Sequence, residues 1–186
     1  MNNDHVILGV DPGTTVLGYG MIKVVNRQPV FLDMGVLTFK KEKDHFARIN
    51  AIFNFITSVI KQYGVKEMAI ESPFYGENIQ SMLKLGRAQG AAITAALQCG
   101  IAVTEYAPRA VKLSVTGNGN ASKEQVAGLL QHLLKYKNKP ETLDATDGLA
   151  IALCHFYQGR KTVFSKGCRD WKEFLAKHPE RIKTGR

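Results

Sequence analysis

Four acidic residues stand where the chain is expected to turn from one element of secondary structure into the next. Asp11 ends a short apolar segment, and Glu71 ends a second one. Asp144 and Asp147 lie three residues apart at the start of a later apolar segment, so a helix there would present both on one face. Carboxylate oxygens in this number are ligands that Mg²⁺ and Mn²⁺ prefer, which indicates metal-dependent chemistry.

Each of these acids also has an ordinary structural explanation. Asp11 precedes a Pro-Gly turn, and Glu71 could be a solvated strand end. Asp144 and Asp147 could simply oppose the positive end of a helix dipole. Two carboxylates about 5 Å apart, however, repel each other by about 3 kcal/mol at an effective dielectric constant of about 20. Four that converge must be protonated, paired or bound to cations, and no basic residue stands beside them in sequence.

The elements that position these acids are predicted from the spacing of apolar and turn-forming residues. Strands are expected at 5–11, 17–25, 30–38, 66–71 and 101–106, and helices at 44–63, 78–98, 122–134 and 142–157, with a helical turn at 108–115. The order βββαβαβαα predicts an α/β fold, in which helices flank a five-stranded mixed sheet whose first three strands are antiparallel. Asp11 would then end a central strand, and Glu71 would end its neighbour.

Three of the helices carry further signals. The first is predicted to bury a single stripe, formed by Phe46, Ile49, Phe53, Ile56, Ile60 and Tyr63, and to end at Gly64. Ser122 and Gln125 form a capping-box pattern at the start of the helix at 122–134. The helix at 78–98 is rich in Gly and Ala, which allow close packing on the sheet.

Charge and composition restrict the classes of function. The chain carries a formal charge of +9, and residues 159–186 contribute nine Lys/Arg against three Asp/Glu. This division predicts a domain at 1–158 and a basic tail at 159–186, partly helical or disordered, and favours a polyanionic partner such as nucleic acid. A tail of this kind could also serve solubility alone. The sequence lacks a membrane-spanning apolar run, a secretory signal and zinc-ligand cysteine spacing, so we expect a cytoplasmic protein.

Several separate blocks of the sequence resemble the RuvC family of Holliday junction resolvases, which have the ribonuclease H-like fold. The opening G-x-D-P-G motif alone would be weak evidence. It is joined by an E-x-x-F block, an R-x-V-K segment followed by G-x-x-x-K, and a D-x-x-D helix. The matching blocks are ILGVDPGTTVLGYG (7–20), AIESPFYGENIQSMLKLGRAQGAA (69–92), APRAVKLSVTGNGNASKEQV (107–126) and LDATDGLAIAL (143–153).

The resemblance implies a role for each matching residue. The family's catalytic acids fall on Asp11, Glu71, Asp144 and Asp147. They are expected to bind Mg²⁺, two ions per subunit with Mn²⁺ as a substitute, and some family members have His where this chain has Asp144. The family's basic residues near the scissile phosphate fall on Lys112 and Lys123, and its aromatic wedge at the junction falls on Phe74. We expect further DNA contacts from Tyr75, Arg87 and Arg109.

The implied activity is magnesium-dependent cleavage of four-way DNA junctions during homologous recombination and DNA repair. A homodimer would make paired nicks that leave 5′-phosphate and 3′-hydroxyl ends. Part of the Gly/Ala-rich helix would contribute to the dimer interface, and a branch-migration motor complex would be a further partner. No membrane association is expected.

Three other interpretations also fit the sequence. The pattern Asp11-Pro12-Gly13-Thr14-Thr15 also fits the phosphate loop of the actin and sugar-kinase superfamily, although such enzymes need two domains of this kind. A junction-binding protein without catalysis could use the basic tail and the aromatic loop. A related ribonuclease H-like nuclease could act on other branched DNA or on RNA. Lys112, Lys123 and Phe74 could likewise be solvated lysines and a loop anchor.

Overall fold

The apolar, β-branched segments form a sheet, and the segments with helical spacing pack on its two faces. A computed structural model describes residues 4–39, 44–73, 78–137 and 142–164, with side chains up to residue 159. Within these residues the strands are β1 (His5–Asp11), β2 (Val16–Val25), β3 (Gln28–Thr38), β4 (Val65–Glu71) and β5 (Ala102–Tyr106). The helices are α1 (His45–Tyr63), α2 (Ile79–Gln98), α3 (Pro108–Thr116), α4 (Lys123–Leu134) and α5 (Leu143–Phe164).

The strands form one five-stranded mixed sheet in the order β3-β2-β1-β4-β5. The first three strands are antiparallel, while β4 runs parallel to β1, and β5 runs parallel to β4. The predicted fold class and element order are confirmed. The segment predicted as a helical turn at 108–115 forms α3, a helix of nine residues. Because β1 is central and parallel to β4, Asp11 and Glu71 end neighbouring strands at the same edge of the sheet.

The two faces of the sheet carry different helices. The hydrophobic core on one face joins α1 and α2 to alternate residues of β1 and β4, among them Leu8, Val10, Met68 and Ile70. Side chains alternate between the faces of a strand, so Gly9 and Asp11 point to the opposite face. There they meet α5, which lies beside α3 and α4.

Glycines let α5 lie directly on β1 and β2. A Cβ atom on Gly9 would overlap the backbone of α5 at Gly148 and Ala152. A Cβ on Gly18 would overlap the carbonyl oxygen of Asp144, and Gly18 is the residue paired with Asp11 across the sheet. The missing side chains therefore bring the first turn of α5 against the end of β1.

The predicted ends of the elements are formed by local hydrogen bonds and backbone geometry. Asp44 caps α1 by accepting hydrogen bonds from two backbone N–H groups, and Gly64 ends the helix in the left-handed conformation with φ of 63°. Ser122 and Gln125 make the capping box at the start of α4, as predicted. The capping box places Lys123 in the first turn of α4.

The prediction of a single buried stripe on α1 is wrong in part: Phe46 is 72% exposed, and the buried residues are Ile52, Ile56, Val59 and Ile60. The predicted wedge residue Phe74 and its neighbour Tyr75 lie outside the described residues, as does the tail from 165 onward. The division into a domain and a tail stays a prediction.

No helix in the described ranges combines the length and the apolar character that a membrane span would need.

Candidate active site

An open cleft of about 200 Å³ lies at the edge of the sheet where β1 and β4 end. Asp11 and Glu71 line it from the strands, and Asp147 lines it from α5. Its remaining walls come from α3, α4 and α5, through Pro108, Val111, Lys112, Lys123, Val126 and Ala150. The cleft therefore holds three of the four predicted acids and both predicted lysines.

Lys123 links the two acids of α5. Its Nζ lies 2.5 Å from Oδ2 of Asp147 and 3.4 Å from Oδ1 of Asp144. Asp144 is at the rim, with 44% of its side chain exposed, while Asp147 is exposed by only 18%. Because the two acids are three residues apart on one helix, a single cation reaches both of them.

The buried carboxylates of the cleft have raised pKa values. Burial raises the pKa of Asp11 to about 6, and repulsion by Asp147 adds to the effect. The pKa of Glu71 is raised to about 7, first by burial and then by the nearby Asp11. Burial also raises the pKa of Asp147, although its ion pair with Lys123 acts in the opposite direction. The carboxylates of the cleft are thus close together and poorly solvated, so a bound cation would favour their charged forms.

The ammonium group of Lys123 responds to the same charges. Partial burial alone would lower the pKa of Lys123, but hydrogen bonds and charge interactions with Asp147 and Asp144 outweigh burial and raise it. This lysine therefore stays charged at neutral pH. Its position shows that a cation is favourable between the two acids of α5.

A buried glutamine supports Glu71 from the opposite face of the sheet. Gln89 of α2 is 7% exposed, and its Nε2 donates to the backbone oxygen of Glu71 and to Oε1 of Glu105, both at 3.3 Å. Sequence reasoning missed this residue. The signal that could have found it is a long polar side chain on the otherwise Ala-rich buried side of α2.

The remaining predicted DNA contacts lie in different places. Arg109 is exposed on α3, where its side chain covers Gly119 in the loop that leads to α4. Lys112 of the same helix lines the cleft. Arg87 is exposed on α2 and is not part of the cleft lining. Of the basic residues predicted to contact DNA, the structure brings Lys112 and Lys123 into the site, with Arg109 on the helix beside it.

The donor set of the cleft fits a hard divalent cation. Its three carboxylates outnumber its two lysines, and carboxylate oxygens are the usual ligands of Mg²⁺. In the part of the chain that the structure describes, no three His, Cys, Asp or Glu side chains are already spaced as ligands of one ion. The ammonium of Lys123, between Asp144 and Asp147, occupies a position that a metal ion would compete for.

Comparison with known proteins identifies the family. The sequence model of the family described as "Crossover junction endodeoxyribonuclease RuvC" matches residues 7–155. The chain belongs to the RuvC family. The RuvC of Bacteroides fragilis is 50% identical over 182 residues, which cover 97% of each chain. All residues that line the cleft lie within the matched range.

Solved RuvC structures have the same fold. The structure of Thermus thermophilus RuvC superposes with a TM-score of 0.76 at 31% identity and covers 84% of this chain and 96% of that one. The same RuvC in complex with a Holliday junction substrate gives a TM-score of 0.75 at 29% identity, with the same coverage. The ribonuclease H-like fold expected from the sequence is confirmed.

Proposed function

We propose that the chain is a structure-selective endonuclease that resolves four-way DNA junctions in homologous recombination and DNA repair. The observation that carries the proposal is the convergence of Asp11, Glu71 and Asp147 with two lysines on one cleft, in a RuvC family member. The fold is shared with a RuvC bound to a Holliday junction substrate. The proposed place of action is the cytoplasm, where the proposed DNA substrate would lie.

Divalent metal ions, two Mg²⁺ per subunit or Mn²⁺ in their place, would be held by Asp11, Glu71, Asp144 and Asp147. When bound, such ions activate the attacking water and neutralise charge on the leaving 3′-oxygen. Asp11 would be the ligand shared by the ions, because it ends the central strand and lines the cleft together with Glu71 and Asp147. Its electrostatic coupling to Asp147, Asp144 and Glu71 supports that assignment.

The residues of the chain itself bind and orient the DNA. Lys112 and Lys123 face the cleft and are assigned to the phosphate at the cut, where fixed positive charge stabilises the negative charge that develops during hydrolysis. Arg109 lies on the same helix as Lys112 and is assigned to the neighbouring backbone. Phe74 and Tyr75 are assigned to unstacked bases at the crossover, and Arg87 to DNA outside the cleft. The roles of Phe74 and Tyr75 rest on the sequence alone, and those of Arg87 and Arg109 rest also on the exposure of their side chains.

Cleavage of a junction into two duplexes needs two nicks on opposite strands. A homodimer with one cleft per subunit is proposed to make them, leaving 5′-phosphate and 3′-hydroxyl ends that a ligase can seal. Part of α2 is assigned to the dimer interface, since Ile79 and Leu83 expose apolar side chains there. A branch-migration motor complex is the proposed partner that moves the crossover.

The test is cleavage of a synthetic four-way junction with and without Mg²⁺, beside duplex, three-way, single-stranded and RNA substrates of equal length. Symmetrical nicks in the four-way junction, dependent on Mg²⁺ or Mn²⁺, are the expected result. Binding without cleavage in either metal would contradict the proposed enzyme. Faster cleavage of another substrate would contradict the proposed specificity for four-way junctions and would indicate a related nuclease.

Substitution of Lys123 by methionine tests the role of the cleft lysines. The expected result is a fall of about 10²-fold in the rate of nicking at saturating junction, since one fixed positive charge at the phosphate is lost. In the protein without DNA, the affinity for Mn²⁺ should rise, because the ammonium no longer competes for Asp144 and Asp147. Single-turnover cleavage and calorimetric titration with Mn²⁺ measure the two effects.

Lys61→Met is the matched control, because Lys61 is an exposed lysine of α1, on the opposite face of the sheet. It should leave both the nicking rate and the Mn²⁺ affinity at the level of the unaltered protein. If Lys123→Met nicks a saturating junction at the normal rate, Lys123 does not act on the phosphate and is only a solvated lysine of the first helical turn.

A further inference from the structure

Four hydrogen-bonding side chains form a chain that runs from Tyr106, at the end of β5, to His5, at the start of β1. The hydroxyl of Tyr106 lies 2.9 Å from Nδ1 of His155, and Nε2 of His155 lies 2.8 Å from Oε2 of Glu67. The other carboxylate oxygen of Glu67 lies 3.1 Å from Nε2 of His5. The chain connects β5, α5, β4 and β1, and the proposed chemistry uses none of its members.

The direction of each hydrogen bond follows from the chemistry of the groups. Burial raises the pKa of Tyr106 to about 12, so its hydroxyl is protonated and can donate. A carboxylate accepts, so the Nε2–H groups of His155 and His5 donate to Glu67. Nδ1 of His155 is then left to accept from Tyr106. This tautomer satisfies both ring nitrogens of His155, whose side chain is only 13% exposed.

His155 lies on the side of α5 that faces the sheet. Asp144, Gly148 and Ala152 of that side approach the glycines of β1 and β2, and His155 follows three residues after Ala152. Facing glycines bring backbones close together, but they have no side chains that interlock. These contacts set the distance between α5 and the sheet, and buried apolar side chains of α5, such as that of Leu149, pack around them.

The hydrogen-bonded chain adds a directional restraint to this packing. Hydrogen bonds weaken steeply as their angles and distances depart from the favoured range, so bonds from His155 to two different strands oppose movement of α5 along its axis. Tyr106 is also tied to the cleft, since it is paired with Glu71 across the sheet and its carbonyl oxygen accepts from the backbone N–H of Ser72 at 2.9 Å.

We propose that His155 is a positioning residue, which holds α5 along β1 through Glu67 and Tyr106 so that Asp147 meets Asp11 and Glu71 in the cleft. The inference rests on the proposed function, because it concerns the same four acids. It adds a residue that does not touch DNA or metal and acts through α5. Residues that orient metal ligands without touching the metal typically change activity or metal affinity by about 10–100-fold, and we expect an effect of this size for His155.

The experiment compares His155→Phe with His155→Gln. Phenylalanine keeps an aromatic ring but neither hydrogen bond, whereas glutamine offers one acceptor and one donor and can restore both. His155→Phe should lower single-turnover nicking of a four-way junction by about 10–100-fold and weaken Mn²⁺ binding in calorimetry to a similar degree. The dissociation constant for the junction in Ca²⁺ should stay unchanged, and His155→Gln should recover most of both losses.

His132→Phe is the matched control, since His132 is an exposed histidine of α4 and should tolerate the same change. If His155→Phe does not fold, Tyr106→Phe removes a single oxygen from the chain and should weaken Mn²⁺ binding in the same direction. Equal Mn²⁺ affinity in the unaltered protein and the folded variants would overturn the inference. Absence of nicking by the unaltered protein would instead overturn the proposed function, and the Mn²⁺ titration would still decide the role of His155.

Discussion

Replacement of Asp147 by asparagine should abolish nicking of a four-way junction while the protein still folds and binds the junction. Asparagine has nearly the same shape, but it lacks the negative charge that a divalent cation and Lys123 both require. We expect a loss of about 10³-fold or more, the scale on which removal of one essential polar or charged group acts in other hydrolases. Asp11→Asn should behave in the same way, because Asp11 faces the same cleft.

Binding should be equal or tighter in both variants, since each loses a carboxylate that repels phosphate. Single-turnover cleavage in Mg²⁺ and a band-shift titration in Ca²⁺ measure the two properties separately. Glu124→Gln is the matched control, because Glu124 is an exposed acid beside Lys123 and does not line the cleft. If Asp147→Asn nicks the junction in Mg²⁺ at the normal rate, the carboxylate of Asp147 has no part in the reaction.

The position of the acids at one edge of the sheet could be predicted because it depends on topology. Three antiparallel strands followed by βα alternation predicted a central β1 with β4 beside it, and the structure has this arrangement. Asp11 and Glu71 end these strands, so the structure places them in one cleft. The i, i+3 spacing on α5 likewise placed Asp144 and Asp147 within reach of one ammonium group. Their role in catalysis stays a prediction.

Other features depend on contacts between distant segments, which spacing alone does not reveal. Phe46 has helical spacing with the core residues of α1 but stands in the first turn, ahead of the first buried residue, Ile52. Gln89 acts across the sheet on the backbone of Glu71, and the Ala-rich pattern of α2 indicates burial without naming a partner. His155 is an ordinary histidine in the sequence until Glu67 and Tyr106 are seen beside it.

Two glycines inside helices also differ in contacts that the sequence does not reveal. Gly148 and Gly128 both lie inside helices, and from the sequence each is expected to destabilise its helix because glycine has a low helix propensity. The structure separates them: a Cβ on Gly148 would lie 2.6 Å from Cα of Tyr19 and 2.7 Å from the backbone nitrogen of Gly20, whereas a Cβ on Gly128 would meet nothing within 4 Å. Substitution of the two by alanine should therefore change stability in opposite directions.

Gly148→Ala should lower the free energy of unfolding by about 1–3 kcal/mol, because the new methyl group pushes α5 away from the backbone of β2. This loss is net of a gain in helix propensity of about 0.5–1 kcal/mol, which alanine brings in any helix interior. Nicking should fall as well, since the displaced helix carries Asp144 and Asp147. Urea unfolding, followed by circular dichroism, measures the stability of each variant.

Gly128→Ala isolates the gain in propensity, because Gly128 is exposed in α4 with open space around it. It should raise the free energy of unfolding by about 0.5–1 kcal/mol and leave nicking unchanged. The difference in sign between two identical substitutions is then due to the contact between α5 and β2 alone. Equal stabilisation by both alanines would show that α5 can move away from the sheet at no cost, and the close approach would no longer explain how Asp147 is held beside Asp11.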